Sequence, residues 1–293
     1  MAGNFITGEE LDRRALNELL DRAAELKEGR ERGLGCDSLG GRSVALVFER
    51  PSTRTRISFE VGVAELGATP LILRGEEMQL SRGESIGDTA RMLSRYVHAV
   101  AIRSGSDEVV TELAENAEVP VINGLTPTHH PCQALADLLT LRERFGDLES
   151  LRLTYVGDGN NVARSLAILG RLAGVEVRLA SPDGYRLEQG LAAMDTTDPK
   201  EAVADADAVY TDVWVSIGDD AEAQRRRHDL ADYQVNAELM AEASDRAIFL
   251  HCLPAHPGEE VTEDVLYGER SAAWDEAENR LHAQKALLEL LLS

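Results

Sequence analysis

Lysine is nearly missing from this chain of 293 residues: it occurs only at Lys27, Lys200 and Lys285, and arginine supplies the rest of a basic set of 30. Against it stand 52 acidic residues, for a formal net charge of −22 at pH 7. So negative a chain repels DNA, RNA and anionic lipid, so no nucleic-acid and no membrane partner is expected. Self-repulsion of this size is relieved when salt shortens the Debye length, so the composition predicts a halophilic protein adapted to molar salt. Long apolar runs are also missing. No stretch is long enough to span a bilayer, and the N-terminus lacks the basic-then-apolar pattern of a secretory signal. Cysteine occurs three times, at Cys36, Cys132 and Cys252, without a framework spacing. An odd, sparse set predicts free thiols in a reducing cytoplasm. The His and Cys spacings match no zinc pattern, so no metal is expected. A complete G-x-G-x-x-G is absent as well: Gly157-Asp158-Gly159 is followed by Val162 at the sixth position. No dinucleotide or other cofactor is therefore expected.

What is present is alternation. The length predicts two domains, and 43% hydrophobic residues are ample for two cores. Thr7-Gly8-Glu9-Glu10 fits a capping box, continued by an apolar stripe through Leu11, Ala15, Leu16, Leu19, Leu20 and Ala23. Strand-like runs follow at 43–48, 71–73, 99–102 and 119–122, each leading into a helical pattern. After a charged break around 142–150, a second series opens at 151–156 and continues at 175–179, 208–210 and 247–250. A leucine-rich helix from Glu276 to Leu292 ends the chain. This order predicts an α/β protein of two domains, each a mainly parallel sheet flanked by helices.

The richest chemistry lies in Ser52-Thr53-Arg54-Thr55-Arg56, where a buried strand turns into a helix. Unpaired backbone N–H groups and the helix dipole favour an anion there, and Arg54 adds a fork for phosphate oxygens. His129-His130-Pro131-Cys132-Gln133 stands before another helix, with Pro131 at a plausible first position. His251-Cys252-Leu253-Pro254 follows a wholly apolar strand and so lies at a carboxyl end, where open α/β sheets bind ligands. The turn at Gly157–Asn161 presents Asn161, and Asp212 and Ser216 offer a carboxylate and a hydroxyl four residues apart, suited to an amino-acid group. Each segment also has a plain reading as a cap, a turn or a strand terminator.

Taken in order, these segments resemble the transcarbamylases, and within that family the branch whose acceptor is ornithine. The resemblance rests on Ser-Thr-Arg-Thr-Arg at 52–56, His-Pro-Cys-Gln at 130–133, Asp-Val-Trp-Val-Ser at 212–216 and His-Cys-Leu-Pro at 251–254. Glu84-Ser85-Ile86, Asp88-Thr89-Ala90-Arg91 and Asn279-Arg280-Leu281-His282 add to it. It implies a carbamoyl-phosphate domain at 1–140, joined by the C-terminal helix 270–293, and an ornithine domain at 150–265. By this likeness Ser52, Thr53, Arg54, Thr55 and Arg103 hold the phosphate, and Arg103, His130 and Thr55 polarise the carbamoyl oxygen. Gln133 and the Leu253 carbonyl receive the carbamoyl NH₂, with Arg280 and Cys252 completing that set. Gln79 reaches a neighbouring subunit's site, which implies a homotrimer or a multiple of trimers. Asn161, Asp212, Ser216 and Ile217 bind L-ornithine, and Cys252 lies by its δ-amine with Asp212 orienting it. Arg103, His130, Cys252 and Asp212 are thus the expected catalytic groups. The substrates implied are carbamoyl phosphate and L-ornithine, and the products L-citrulline and phosphate.

One departure stands out: the family has Ser-Met-Gly where this chain has Ser216-Ile217-Gly218. The sister enzymes that carbamoylate aspartate would want cationic groups for a second carboxylate, whereas this chain offers Asp212 and Cys252. Acetylornithine and putrescine are further candidate acceptors. A non-catalytic scaffold is the alternative from a different class.

Overall fold

The computed structural model describes residues 3–78, 83–215 and 220–292, so Gln79, Ser216 and Ile217 lie outside the described residues. The chain divides into two compact units, Met1–Leu139 with Glu278–Ser293, and Thr140–Ala277. The first unit runs through α1 (Arg13–Glu31), β1 (Ser43–Phe48), α2 (Thr53–Glu65), β2 (Thr69–Arg74), α3 (Ile86–Leu93), β3 (Ala99–Arg103), α4 (Asp107–Asn116), β4 (Val121–Leu125) and most of α5 (Pro131–Phe145). The second continues through β5 (Arg152–Val156), α6 (Asn161–Ala173), β6 (Glu176–Ala180), β7 (Met194–Thr196), α7 (Pro199–Val203), β8 (Ala208–Tyr210), α8 (Ala223–Leu230), α9 (Ala237–Glu242), β9 (Ile248–Leu250) and α10 (Glu263–Leu266). Helix α11 (Ala273–Leu292) starts in the second unit and ends in the first.

Among the described residues each unit has one all-parallel sheet, of order β2-β1-β3-β4 in the first and β7-β6-β5-β8-β9 in the second. The inner strands explain why their sequences are apolar on both faces: Val44 to Val47 of β1 and Leu153 to Val156 of β5 are buried throughout. Helices start where short polar side chains meet their orphan N–H groups. Ser52, Ser85, Ser106 and Asn160 cap α2, α3, α4 and α6 in this way. Pro131 opens α5, where its missing N–H costs nothing. The C-terminal helix is held to the first unit by Arg22 to Glu289 at 2.6 Å, Lys285 to Glu65 at 2.8 Å and Lys27 to Asn279 at 2.8 Å. Two of the three lysines thus serve this one helix.

Two local expectations are corrected, and one strand answers to no expectation at all. The capping box at 7–10 does not open α1; Gly8 takes φ +100°, and Glu10 instead closes a turn on the N–H groups of Ile6, Thr7 and Gly8. Asp12 is the cap, its carboxylate accepting from Ala15 N at 2.7 Å, so Leu11 precedes the helix. The fourth strand is Val121–Leu125 rather than 119–122, since Pro120 has no N–H to give a ladder. Edge strand β7 has no alternating pattern to betray it: its three residues are all half-buried.

Candidate active site

In the first unit the expected phosphate groups gather at the carboxyl edge of the sheet. Ser52 accepts the N–H of Thr55 at 3.3 Å, leaving Thr53 and Arg54 in the first turn of α2, which carries no acidic residue. Arg103 ends β3 and pairs in register with Phe48, the last residue of β1, so it stands beside that turn. Gly124 lets β4 come close: a Cβ there would lie 3.1 Å from the Ile102 carbonyl and 3.6 Å from Thr55 Cγ2. Arg280, 3% exposed on α11, donates Nη2–H to Thr55 Oγ1 at 2.7 Å and Nη1–H to Gln133 Oε1 at 2.8 Å. Gln133 in turn donates to Asp137 Oδ1 at 2.8 Å, which fixes its amide orientation.

His130 is 4% exposed, and burial holds its imidazole well below its ordinary value of 6.5, with Arg280, Arg103 and Arg54 adding to the depression. The ring is therefore neutral near pH 7 and carries one N–H to donate. A chain of net charge −22 has here collected three guanidinium groups around one uncharged ring. The sign for stability follows. The unfolded chain binds a proton on His130 below about pH 6.5 that the folded chain does not, so this group withdraws stability as pH falls from there. In an NMR titration the His130 ring should stay in its neutral form through pH 6.5. A midpoint at or above that value would rule out a neutral donor. Cys132 nearby is fully buried and its thiol is pushed up to about 12 by burial, so it serves no thiolate chemistry.

The second unit brings Asp212 and Cys252 together. Cys252 Sγ donates to Asp212 Oδ1 at 3.0 Å, and the same oxygen accepts Val213 N at 2.8 Å. Asp212 Oδ2 accepts from Asn160 Nδ2 at 2.8 Å. Asn160 also caps α6 through Val162 N and Ala163 N, so one side chain ties the β5 turn to the Asp212 segment. The half-buried Asn161 is the first helical residue beside it. Sequence reasoning singled out Asn161 and passed over Asn160, although the preference for Asn at a helix cap pointed to the first of the pair. Asp137, bonded to Gln133, was also missed. Gly159 is explained by crowding: a Cβ there would lie 2.6 Å from the Tyr185 carbonyl. Next to Cys252, Leu253 takes φ +56° before a cis peptide to Pro254. Asp212, His251 and Cys252 cluster closely enough to be weighed as metal ligands. Both ring nitrogens of His251 are already bonded, Nδ1 to Leu253 N at 2.9 Å and Nε2 to Glu260 at 3.1 Å, so the donor set does not fit an ion.

Residues 3–143 match the carbamoyl-P binding domain of aspartate/ornithine carbamoyltransferase, and residues 149–291 match the Asp/Orn binding domain of the same family. The chain belongs to the aspartate/ornithine carbamoyltransferase family. A protein of Anoxybacillus flavithermus named ornithine carbamoyltransferase is 50% identical over 302 residues, covering 99% of this chain and 96% of its own length. One of the same name from Methanoculleus marisnigri is 48% identical over 302 residues, covering 100% and 98%. Among solved structures, ornithine carbamoyltransferase from Pyrococcus furiosus superposes with a TM-score of 0.95 at 44% identity, covering 99% of this chain and 96% of its own. In this carbamoyltransferase the matched segments are consecutive in sequence, while the compact first unit also takes back Glu278–Ser293 and with it Arg280.

Proposed function

We propose that this chain transfers the carbamoyl group of carbamoyl phosphate to the δ-amine of L-ornithine, releasing L-citrulline and phosphate, a step of arginine metabolism. The observation that carries the reading is Arg280 bonding both Thr55 and Gln133 beside an uncharged His130, at the turn that opens α2. The turn and helix N-terminus, with Ser52, Thr53, Arg54, Thr55 and Arg103, hold the phosphate. His130 and Arg103, with Thr55, direct donors at the carbamoyl oxygen. The neutral δ-amine attacks the carbonyl carbon, an oxyanion develops on that oxygen, and the bond from carbon to the phosphate oxygen then breaks as one amine proton passes to the departing phosphate. Donors aimed at the developing charge and cations on the leaving group are what such a reaction requires; no covalent nucleophile is needed. Gln133 and the Leu253 carbonyl receive the carbamoyl NH₂, for which an amide and a carbonyl oxygen are suitable acceptors.

The acceptor groups come from the second unit: Asn161, Asp212, Ser216 and Ile217 for ornithine, with Cys252 at the δ-amine. An anionic Asp212 bonded to Cys252 suits an amine and disfavours the second carboxylate of aspartate. Asp212→Asn removes the charge and sets an amide where one oxygen accepts two donors. A lost hydrogen bond to a charged group is worth about 1.5–3 kcal/mol, or roughly 10- to 100-fold. The expected result is a rise of that order in KM for ornithine with KM for carbamoyl phosphate near wild type. An unchanged ornithine KM would remove Asp212 from the acceptor site.

The assembly we assign is a homotrimer or a multiple of one, and the compartment a reducing cytoplasm; among the described residues no helix is long and apolar enough to cross a membrane. The deciding assay is citrulline formation from carbamoyl phosphate, with ornithine, acetylornithine, aspartate or putrescine as acceptor, in molar potassium chloride. Turnover with ornithine alone supports the reading. Folded protein that turns over no acceptor overturns it in favour of a scaffold role.

A further inference from the structure

The turn after β9 is held by buried acids that the reaction above does not use. Glu276, fully buried, accepts His251 N at 2.8 Å with one oxygen and the Tyr210 hydroxyl at 3.0 Å with the other. The His251 ring is fully buried too. Its Nδ1 accepts the N–H of Leu253 at 2.9 Å, so Nδ1 carries no proton. The proton of the neutral ring must then sit on Nε2, which faces Glu260 Oε1 at 3.1 Å. Glu260 is itself fully buried, and the same oxygen accepts His256 N at 2.5 Å. Leu253 sits at φ +56°, a left-handed conformation that a branched side chain disfavours, so something must hold it there. The ring of His251 does so through the Leu253 N–H.

We propose that Glu260 is a positioning residue: it accepts the Nε2 proton of His251, fixes the tautomer whose bare Nδ1 grips Leu253 N–H, and so aims the Leu253 carbonyl and the Cys252 thiol. The functional half of this inference rests on the roles given to Leu253 and Cys252 above; the tautomer half does not. Without Glu260 the Nε2 proton loses its acceptor, and among the described residues the Leu253 N–H at Nδ1 is left as the one contact that favours that tautomer. The other tautomer would point an N–H at the N–H of Leu253, two donors face to face, and the turn would open. Which nitrogen is protonated is set by the partner of the other, a general property of buried imidazoles.

The test uses full-length protein in molar salt. Long-range ¹H–¹⁵N spectra, with His251 assigned by loss of its signals in His251→Gln, should find its proton on Nε2. Glu260→Gln still offers an amide oxygen to Nε2–H and should keep that tautomer, with kcat within about threefold of wild type. Glu260→Ala should give mixed tautomers and a kcat lower by on the order of 10²-fold, the usual cost of about 1 Å of misplacement. Glu260→Asp, which keeps the charge but withdraws the oxygen, should behave like the alanine variant and replaces it if that one does not fold. A wild-type proton on Nδ1, or an alanine or aspartate variant with unchanged tautomer and kcat, overturns the proposal. Wild-type protein that makes no citrulline overturns the functional reading instead, and the tautomer in wild type and variants then decides this one alone.

Discussion

Arg280→Ala should lower kcat for citrulline formation by on the order of 10²–10³-fold, comparable with removing a direct oxyanion donor. Its guanidinium does two things at once. It satisfies Thr55 Oγ1 and Gln133 Oε1 in a buried setting, and it is the leading positive charge acting on His130. Truncation leaves both partners unsatisfied, which costs about 1–3 kcal/mol for each buried group. It also removes one of three cations beside His130, so the ring's depressed pKa should move back up while burial keeps it below 6.5. Lysine at 280 should rescue little, because a point charge cannot span two acceptors as a planar fork does. The measurements are kcat and the His130 titration on the same variant, with thermal unfolding as a control. A folded Arg280→Ala protein within tenfold of wild type would take Arg280 out of the site.

The second large effect concerns salt. Dilution from molar potassium chloride into dilute buffer should abolish activity and lower the unfolding temperature together. The Debye length grows from about 3 Å at 1 M to about 30 Å at 0.01 M, so charges that ignore one another in brine interact across the whole surface when it is removed. Opposing this are surface pairs such as Arg14 with Glu18, Arg91 with Asp88 and Lys200 with Glu242, all exposed. Exposed pairs contribute only about 0–1 kcal/mol each, and they strengthen in dilute buffer. The arithmetic decides which effect wins: 52 acids against 30 bases leave 22 carboxylates with no cation to pair with. Their mutual repulsion therefore dominates. Activity and unfolding temperature unchanged between 2 M and 0.05 M potassium chloride would refute the halophilic reading.

Much of the fold was legible because its causes are local. Buried parallel strands need apolar side chains on both faces, so Ser43–Phe48 and Ile248–Leu250 stand out in any window. Caps and Pro131 mark helix starts by hydrogen-bonding rules that span three or four residues. Legibility failed where a local pattern had two outcomes. Thr7 to Glu10 satisfied a capping motif, but the left-handed Gly8 turned it into a separate turn, and Asp12 took the cap.

The motifs were legible as residue types, since phosphate binding wants a helix start with hydroxyls and arginines. Their chemical states were not. Arg280 meets Gln133 across 147 positions and Thr55 across 225, distances over which no pattern in the chain reports a contact. The neutrality of His130 comes from burial among cations brought from three separate segments. The Cys252 thiol donates to Asp212, 40 positions away, and the His251 ring faces a carboxylate buried beyond the turn. Sequence by itself determined the alternating architecture, the acidic surface and the residue types at each carboxyl edge, because these follow from local hydrogen bonding, hydropathy and a sum of charges. Only the tertiary structure decided protonation and orientation, because both depend on dielectric and on partners that folding alone assembles.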